Sequence, residues 1–134
     1  MIEVITFPDV EAVAQDYLRG ELTAAGDSAQ VVTEIPKSRP ARMVKLIRTG
    51  GARVNLVLED AQLTVECWDT RRDGAHDLAQ IVRGLLWAMP DRYPAVTTYR
   101  VQELGGIAEL PDPDTANPRY TFTVIITIRG SALP

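Results

Sequence analysis

The sequence predicts a two-layer α+β domain in which two helices pack on one face of a mostly antiparallel β-sheet. Three observations lead there. Two segments repeat apolar residues at helical spacing, and five others have the composition or alternation of strands. No linker, internal repeat or low-complexity tract divides the 134 residues, so residues 1–134 form one domain. Helices and strands with one apolar face each must bury it against one another, and the expected order is α-β-β-β-α-β-β. If the strands before and after the second helix lie parallel, their crossover is right-handed.

The first helix is announced by Thr6, Phe7, Pro8 and Asp9, with Thr6 as cap, Asp9 answering it and Pro8 harmless in a first turn. Val10, Val13, Ala14, Tyr17 and Leu18 make one stripe, which Leu22 extends through Gly20 toward a stop near Gly26. Residues 30–35 form a short strand ended by Pro36. Residues 41–49 form the next, broken by Gly50 and Gly51, followed by a short extended piece at 54–58. Residues 61–68 alternate, with Ala61, Leu63, Val65 and Cys67 on one face and Gln62, Thr64, Glu66 and Trp68 on the other.

Helix two carries Leu78, Ile81, Val82, Leu85, Leu86 and Met89, with Thr70 and Asp73 as a capping pair, Gly74 weakening the first turn and Pro90 enforcing the stop. Residues 96–103 read as a strand that Gly105 and Gly106 bend or bulge before Leu110. The prolines of 111–118 demand an exposed loop. Tyr120, Phe122, Val124, Ile126 and Ile128 alternate with threonines and Arg129, the clearest strand pattern in the chain.

With 46% hydrophobic residues and a net charge of −4, the composition is that of a packed chain rather than a disordered one. A pI near 4.9 disfavours a duplex-binding domain, which concentrates positive charge. The lone Cys67 excludes an intramolecular disulfide and a cysteine-only zinc site, and the lone His76 excludes multi-histidine metal sites. No apolar run is long enough for a membrane span, and Met1 to Val4 carries an acid where a secretion signal carries lysine or arginine. These features predict folding in cytoplasm and no membrane partner.

Residues with chemical potential have plainer readings. His76 and Asp77 are adjacent, so on a helix they point about 100° apart and make no acid–base pair. Cys67 shares its face with aliphatic residues and reads as a buried hydrophobe. Asp112 and Asp114 lack the glycine and distant glutamate of a calcium loop and read as turn formers, as do Glu59 and Asp60. The glycine pairs fit neither a phosphate loop nor a dinucleotide fingerprint. Arg39, Arg42, Arg48, Arg71 and Arg72 lie among acids and read as surface charge rather than a phosphate site. Trp87 reads as core ahead of interface, whereas Trp68 stands open between the two. No catalytic, cofactor-binding or metal-binding residue is expected, and no cofactor.

Two features point to self-association. Met43 and Ile47, with Ile125 opposite the Tyr120–Ile128 stripe, give the sheet an apolar second face that two helices do not cover, leaving part for a neighbouring subunit. The long final ribbon also leaves edge strands that need pairing or protection.

The chain resembles the tail terminator proteins of long-tailed bacteriophages, also called tail-completion or minor tail proteins. The likeness rests on spaced segments over nearly the whole chain: the opening helix 8–22, Val44-Lys45-Leu46-Ile47-Arg48-Thr49-Gly50-Gly51, and Leu63-Thr64-Val65-Glu66-Cys67-Trp68 leading into helix two. It closes with Gly105-Gly106 through Leu110-Pro111-Asp112-Pro113, Pro118-Arg119-Tyr120-Thr121-Phe122-Thr123-Val124, and Arg129-Gly130. The resemblance implies the α+β fold above and a non-enzymatic role in the virion, at the head-proximal end of the tail. There a homo-oligomeric ring, typically six-fold, caps the tail tube, stops its polymerisation and presents a surface to the head–tail connector or head-closure protein. DNA passes through such a ring's lumen without specific binding, which an acidic or neutral lining favours.

The resemblance fixes no contact residue individually. The loops 49–53 and 111–118 suit partner contacts. With neighbouring strand ends they give the candidates Arg48, Gly50, Gly51, Arg53, Trp68, Asp112, Asp114 and Arg119. A head–tail adaptor or head-closure protein of similar fold shares most of these features. A small-molecule enzyme of α+β type needs convergent polar groups that the residues do not advertise.

Overall fold

The stripe of α1 (Val10–Ala24) buries Val10, Ala14, Tyr17, Leu18 and Leu22. In the computed structural model, which describes residues 2–134, the helix is capped by Asp9, whose carboxylate accepts from the Ala12 N–H at 3.2 Å. Met1, the first residue of the N-terminal run read above, lies outside the described residues. Thr6 is not the cap: it belongs to β1 (Ile5–Thr6), which pairs with β7 (Ser131–Ala132) and fixes the entry of the chain instead. At the other end the Gly26 N–H donates to Thr23 O and the Asp27 N–H to Leu22 O. This terminating motif needs the left-handed conformation that Gly26 adopts at φ +73°.

Five strands form the main sheet in the order β2-β3-β4-β6-β5. They are β2 (Gln30–Val32), β3 (Met43–Arg53), β4 (Leu58–Trp68), β5 (Thr98–Glu109) and β6 (Arg119–Arg129). All neighbours are antiparallel except β2 and β3, which run parallel across the short proline-bearing connection of residues 33–42. The fold is therefore α+β with a mostly antiparallel sheet. The described elements depart from the expected order by the two-residue strands at either end of the chain.

Helix α1 packs on β2 and β3, and α2 (Arg72–Arg92) packs on β4, β5 and β6. Between helices and sheet lies one core, including Leu46, Leu63, Val65, Leu86, Phe122, Ile126 and Ile128. Each such side chain contributes about 1.5–3 kcal/mol by leaving water.

Several boundaries differ from the sequence expectation, each for a local reason. Strand β3 does not end at Gly50 and Gly51; it runs on to Arg53 through a bulge between Arg48 and Gly50. The glycines, at φ +125° and +124°, supply the conformation that lets the ladder continue. Residues 54–57 are a turn rather than an extended piece, with the Asn55 carboxamide oxygen accepting from the Val57 and Leu58 N–H groups.

Helix α2 passes Pro90 and ends at Arg92, because a proline in the last turn deprives the helix of one bond while the Tyr93 N–H still reaches Met89 O. Its cap position is Arg71, without a side-chain bond; Thr70 and Asp73 do not form the expected pair. Asp69 instead accepts from the Arg71 N–H and the Thr70 hydroxyl. Trp87 is not core but 56% exposed. The glycine-bearing part of β5 is bulged as expected, with register shifts on both sides of Gly105 and another between Thr98 and Arg100.

Candidate functional site

The candidate residues fall into two groups at opposite ends of the long strands. At the first, Trp68 ends β4 and stands in register with Met43 on β3 and Arg119 on β6. The indole Nε1 donates to Asp112 Oδ2 at 3.2 Å, and Arg39 Nη2 donates to the same oxygen at 3.2 Å. The guanidinium carbons of Arg39 and Arg119 each lie 5.8 Å from the Trp68 ring centre. Arg119 also pairs with Glu66 at 2.8 Å and donates to Leu110 O at 2.8 Å.

Asp112 is buried at the head of the proline-rich loop, where its carboxylate accepts from the Asp114 N–H at 2.9 Å. That backbone bond holds the Asp112 carboxyl below the usual carboxylate range against the opposing effect of burial, and Trp68 and Arg39 add to it. The Asp114 side chain itself points to no partner among the described residues and is exposed. Trp68 is thus covered by Asp112 of the chain's own loop, Arg39 and Arg119, and Met43, its register partner, is likewise fully buried, so this corner of the second face needs no neighbouring subunit. Ile47 and Ile125, on the same face, are half-buried.

At the second group Arg48 pairs with Glu59 at 3.2 Å and donates to Gly50 O. A Cβ on Gly51 would stand 2.0 Å from Asp60 O, so glycine is required where the two strands close up. Arg53 lies over the Phe7 ring at 5.2 Å with a long bond to Ile5 O, and has no carboxylate partner among the described residues.

The other sequence candidates resolve without chemistry. His76 Nδ1 does approach Asp77 Oδ1, at 3.5 Å on the exposed surface, because the side chains bend back across the angle that separates their Cα–Cβ bonds. The Cys67 thiol is fully buried, and burial pushes its pKa up, away from nucleophilic reactivity. The arginines pair off: Arg39 with Asp112, Arg48 with Glu59, Arg71 with Asp73 and Arg72 with Glu109. Arg42 is no surface residue. It clamps both Asp27 oxygens at 2.9 Å and reaches Asp69 at 3.0 Å and Gly74 O at 2.9 Å, a hub the sequence did not advertise.

Two regions with exposed apolar side chains complete the surface. One joins the β3–β4 turn to the chain ends: Val4, Val54, Leu56 and Leu133 are each 45–60% exposed. Backbone bonds from Leu133 to Val4 and from Gly130 to Val57 hold its parts together. The other lies by the edge strand β5, where Trp87 and Leu104 are more than half exposed. Here Gln80, Arg83, Gly84, Trp87 and Glu103 line a groove of about 390 Å³. Arg83 pairs with Glu103 Oε2 at 2.8 Å, leaving Glu103 Oε1 buried with no hydrogen-bond partner among the described residues. Sequence reading missed this groove because it treated Trp87 as core; the position of Trp87 just off the Leu86 stripe was the available signal.

Among the described residues no cluster of three or more His, Cys, Asp or Glu side chains is arranged to hold a metal, and no helix is long and apolar enough to cross a membrane. No family model matches the chain, and no curated protein matches it.

Proposed function

We propose that this chain is a structural subunit of a long-tailed phage virion, forming a homo-oligomeric ring that caps the tail tube and stops its polymerisation. The observation that carries this reading is the pair of unlike exposed surfaces, an apolar one at the β3–β4 turn and chain ends and a mixed polar and apolar groove beside Trp87 between α2 and β5. A ring closes through heterologous contacts, so every subunit must offer two different surfaces that fit each other. Exposed apolar patches of this kind are characteristic of association sites.

In this reading the ring, six-fold in the family it resembles, contacts tail tube protein on one side and the head–tail connector or head-closure protein on the other. Its place is the head-proximal end of the tail, after assembly in the host cytoplasm. A net charge of −4 suits a lumen through which DNA slides without adhering.

Electron microscopy of tails assembled without this protein is the test. Overlong tubes are the expected result. Tails of normal length beside heads that leak DNA would overturn the capping role and assign the chain to the connector as an adaptor.

A further inference from the structure

We propose that residues 111–118 form a strap, hinged where Leu110 meets Arg119, that lifts as a unit and uncovers Trp68 while the sheet stays folded. The strap is independent of the ring reading. Its backbone bonds close on themselves: the Asp112 N–H donates to Asn117 O at 3.0 Å and the Ala116 N–H to Asp112 O at 2.8 Å. The Asp114 N–H donates to the Asp112 carboxylate at 2.9 Å, and Pro111, Pro113 and Pro118 stiffen the segment. At the neck the Leu110 N–H donates to Arg119 O at 3.0 Å and Arg119 Nε to Leu110 O at 2.8 Å. A loop that satisfies its own backbone moves without stranding buried polar groups.

One residue holds the strap down. Asp112 is buried, residues 111 and 113–117 are exposed, and Pro118 is half-buried. Among the described residues, the hydrogen bonds from strap to body all end on Asp112 Oδ2, from Trp68 Nε1 and Arg39 Nη2 at 3.2 Å each. That is long for an ion pair, for which about 2.7–2.9 Å is usual. Arg39 grips with one arm of its fork, its Nε being buried with no hydrogen-bond partner among the described residues. The bond that does most to keep the Asp112 carboxyl ionised comes from Asp114 and travels with the strap, so lifting carries the charge into water with that partner in place. Trp68 and Arg39 lose an acceptor when the strap rises, and this favours its return. Arg119 stays behind, tied to Glu66 at 2.8 Å. The uncovered surface is therefore an indole flanked by two guanidiniums.

Hydrogen exchange in the full native chain tests this, read by NMR at the Trp68 indole N–H and at the amides of Cys67 and Tyr120, the neighbouring pair in the ladder. Trp87→Phe assigns the two indole signals. The Trp68 indole should be protected at least about tenfold less than those amides, at a rate that low urea leaves unchanged while theirs climbs. Asp112→Asn keeps the shape of the anchor and removes its charge, and should speed indole exchange about tenfold further. Arg39→Gln, which removes the opposing cation, should act in the same direction and serves where the first variant fails to fold. An indole that exchanges in step with the Cys67 and Tyr120 amides, with the same urea dependence, would overturn the strap. An indole rate unchanged in both variants would overturn Asp112 as its anchor.

Discussion

At the scale of single residues, Arg42 binds three parts of the chain through one guanidinium. Asp27 follows α1, Asp69 precedes α2, and Gly74 lies in the first turn of α2. Arg42 lowers the Asp27 carboxyl chiefly by direct hydrogen bonding. At Asp69 burial pushes the carboxyl up, but Arg42, the Arg71 N–H and the Thr70 hydroxyl together hold it below the usual range. Both carboxyls therefore bind protons less readily folded than unfolded, and so does Asp112. Their contribution to stability is fully present above an unfolded carboxyl pKa of about 4 and is lost as pH falls through the lower folded values.

Arg42→Ala should lower stability at pH 7 by about 3 kcal/mol, because it strands two partly buried carboxylates. It should also flatten the loss that the native chain shows below about pH 4, since Asp27 and Asp69 then lose the guanidinium that depresses them while Asp112 and Glu109 keep their own partners. Urea midpoints at pH 7, 5 and 3.5 check both; an unchanged acid profile would contradict the role given to Arg42. Lysine at this position recovers only part of the loss, lacking the fork that grips Asp27 at two oxygens.

At the scale of elements, the continuity of β3 depends on its two glycines unequally. Both have a φ that side chains rarely adopt, but only Gly51 faces backbone, at Asp60 O; the space around Gly50 is open. Gly50→Ala should cost the conformational strain alone, about 1–3 kcal/mol, and Gly51→Ala distinctly more, since the β3–β4 ladder must part to admit the methyl group. Thermal melts of the two variants rank them, and equal losses would mean that the ladder yields at Gly51. These glycines also show what sequence can and cannot reveal. Paired glycines signal a break when read locally, and only a partner strand across the ladder turns a break into a bulge. Period-based readings of β4, β6 and the first helix hold because burial on one face imposes them, as with Leu63, Val65 and Cys67 or Ala14, Tyr17 and Leu18, whereas on the second helix Leu78, Val82, Leu86 and Met89 are buried but Ile81, read as part of the stripe, is 40% exposed. What escaped was set by distant chain: β1 needs β7 to exist, α2 tolerates Pro90 because its last turn still closes, and Asp112 is buried only because Trp68 and Arg39 lie beneath it. Trp68, Asp112 and Arg119 were legible as candidates but not as a cluster, since their meeting depends on register between β4 and β6.

At the scale of the whole molecule, the sheet leaves two unlike borders. Three register shifts along β5 break the regular row of backbone groups that a further strand would need, a device that discourages edge-to-edge addition. In the proposed ring, association on that side would proceed through side chains, and Trp87, Tyr99 and Leu104 are large apolar ones presented there. Stability and assembly should consequently separate by mutation. Trp87, more than half exposed, contributes little to the folded monomer, so Trp87→Ser should leave the urea midpoint within about 0.5 kcal/mol of the native value. It should nevertheless shift the population toward monomer in sedimentation velocity, because indoles at the centre of a contact carry a large share of its energy. Phe122→Ala should do the reverse at the level of the subunit, costing about 3–5 kcal/mol from the core between sheet and helices while leaving both surface patches chemically intact. A Trp87→Ser chain that loses stability without losing assembly would place the indole in the service of the fold, and the association surface would have to be sought elsewhere than the α2–β5 groove.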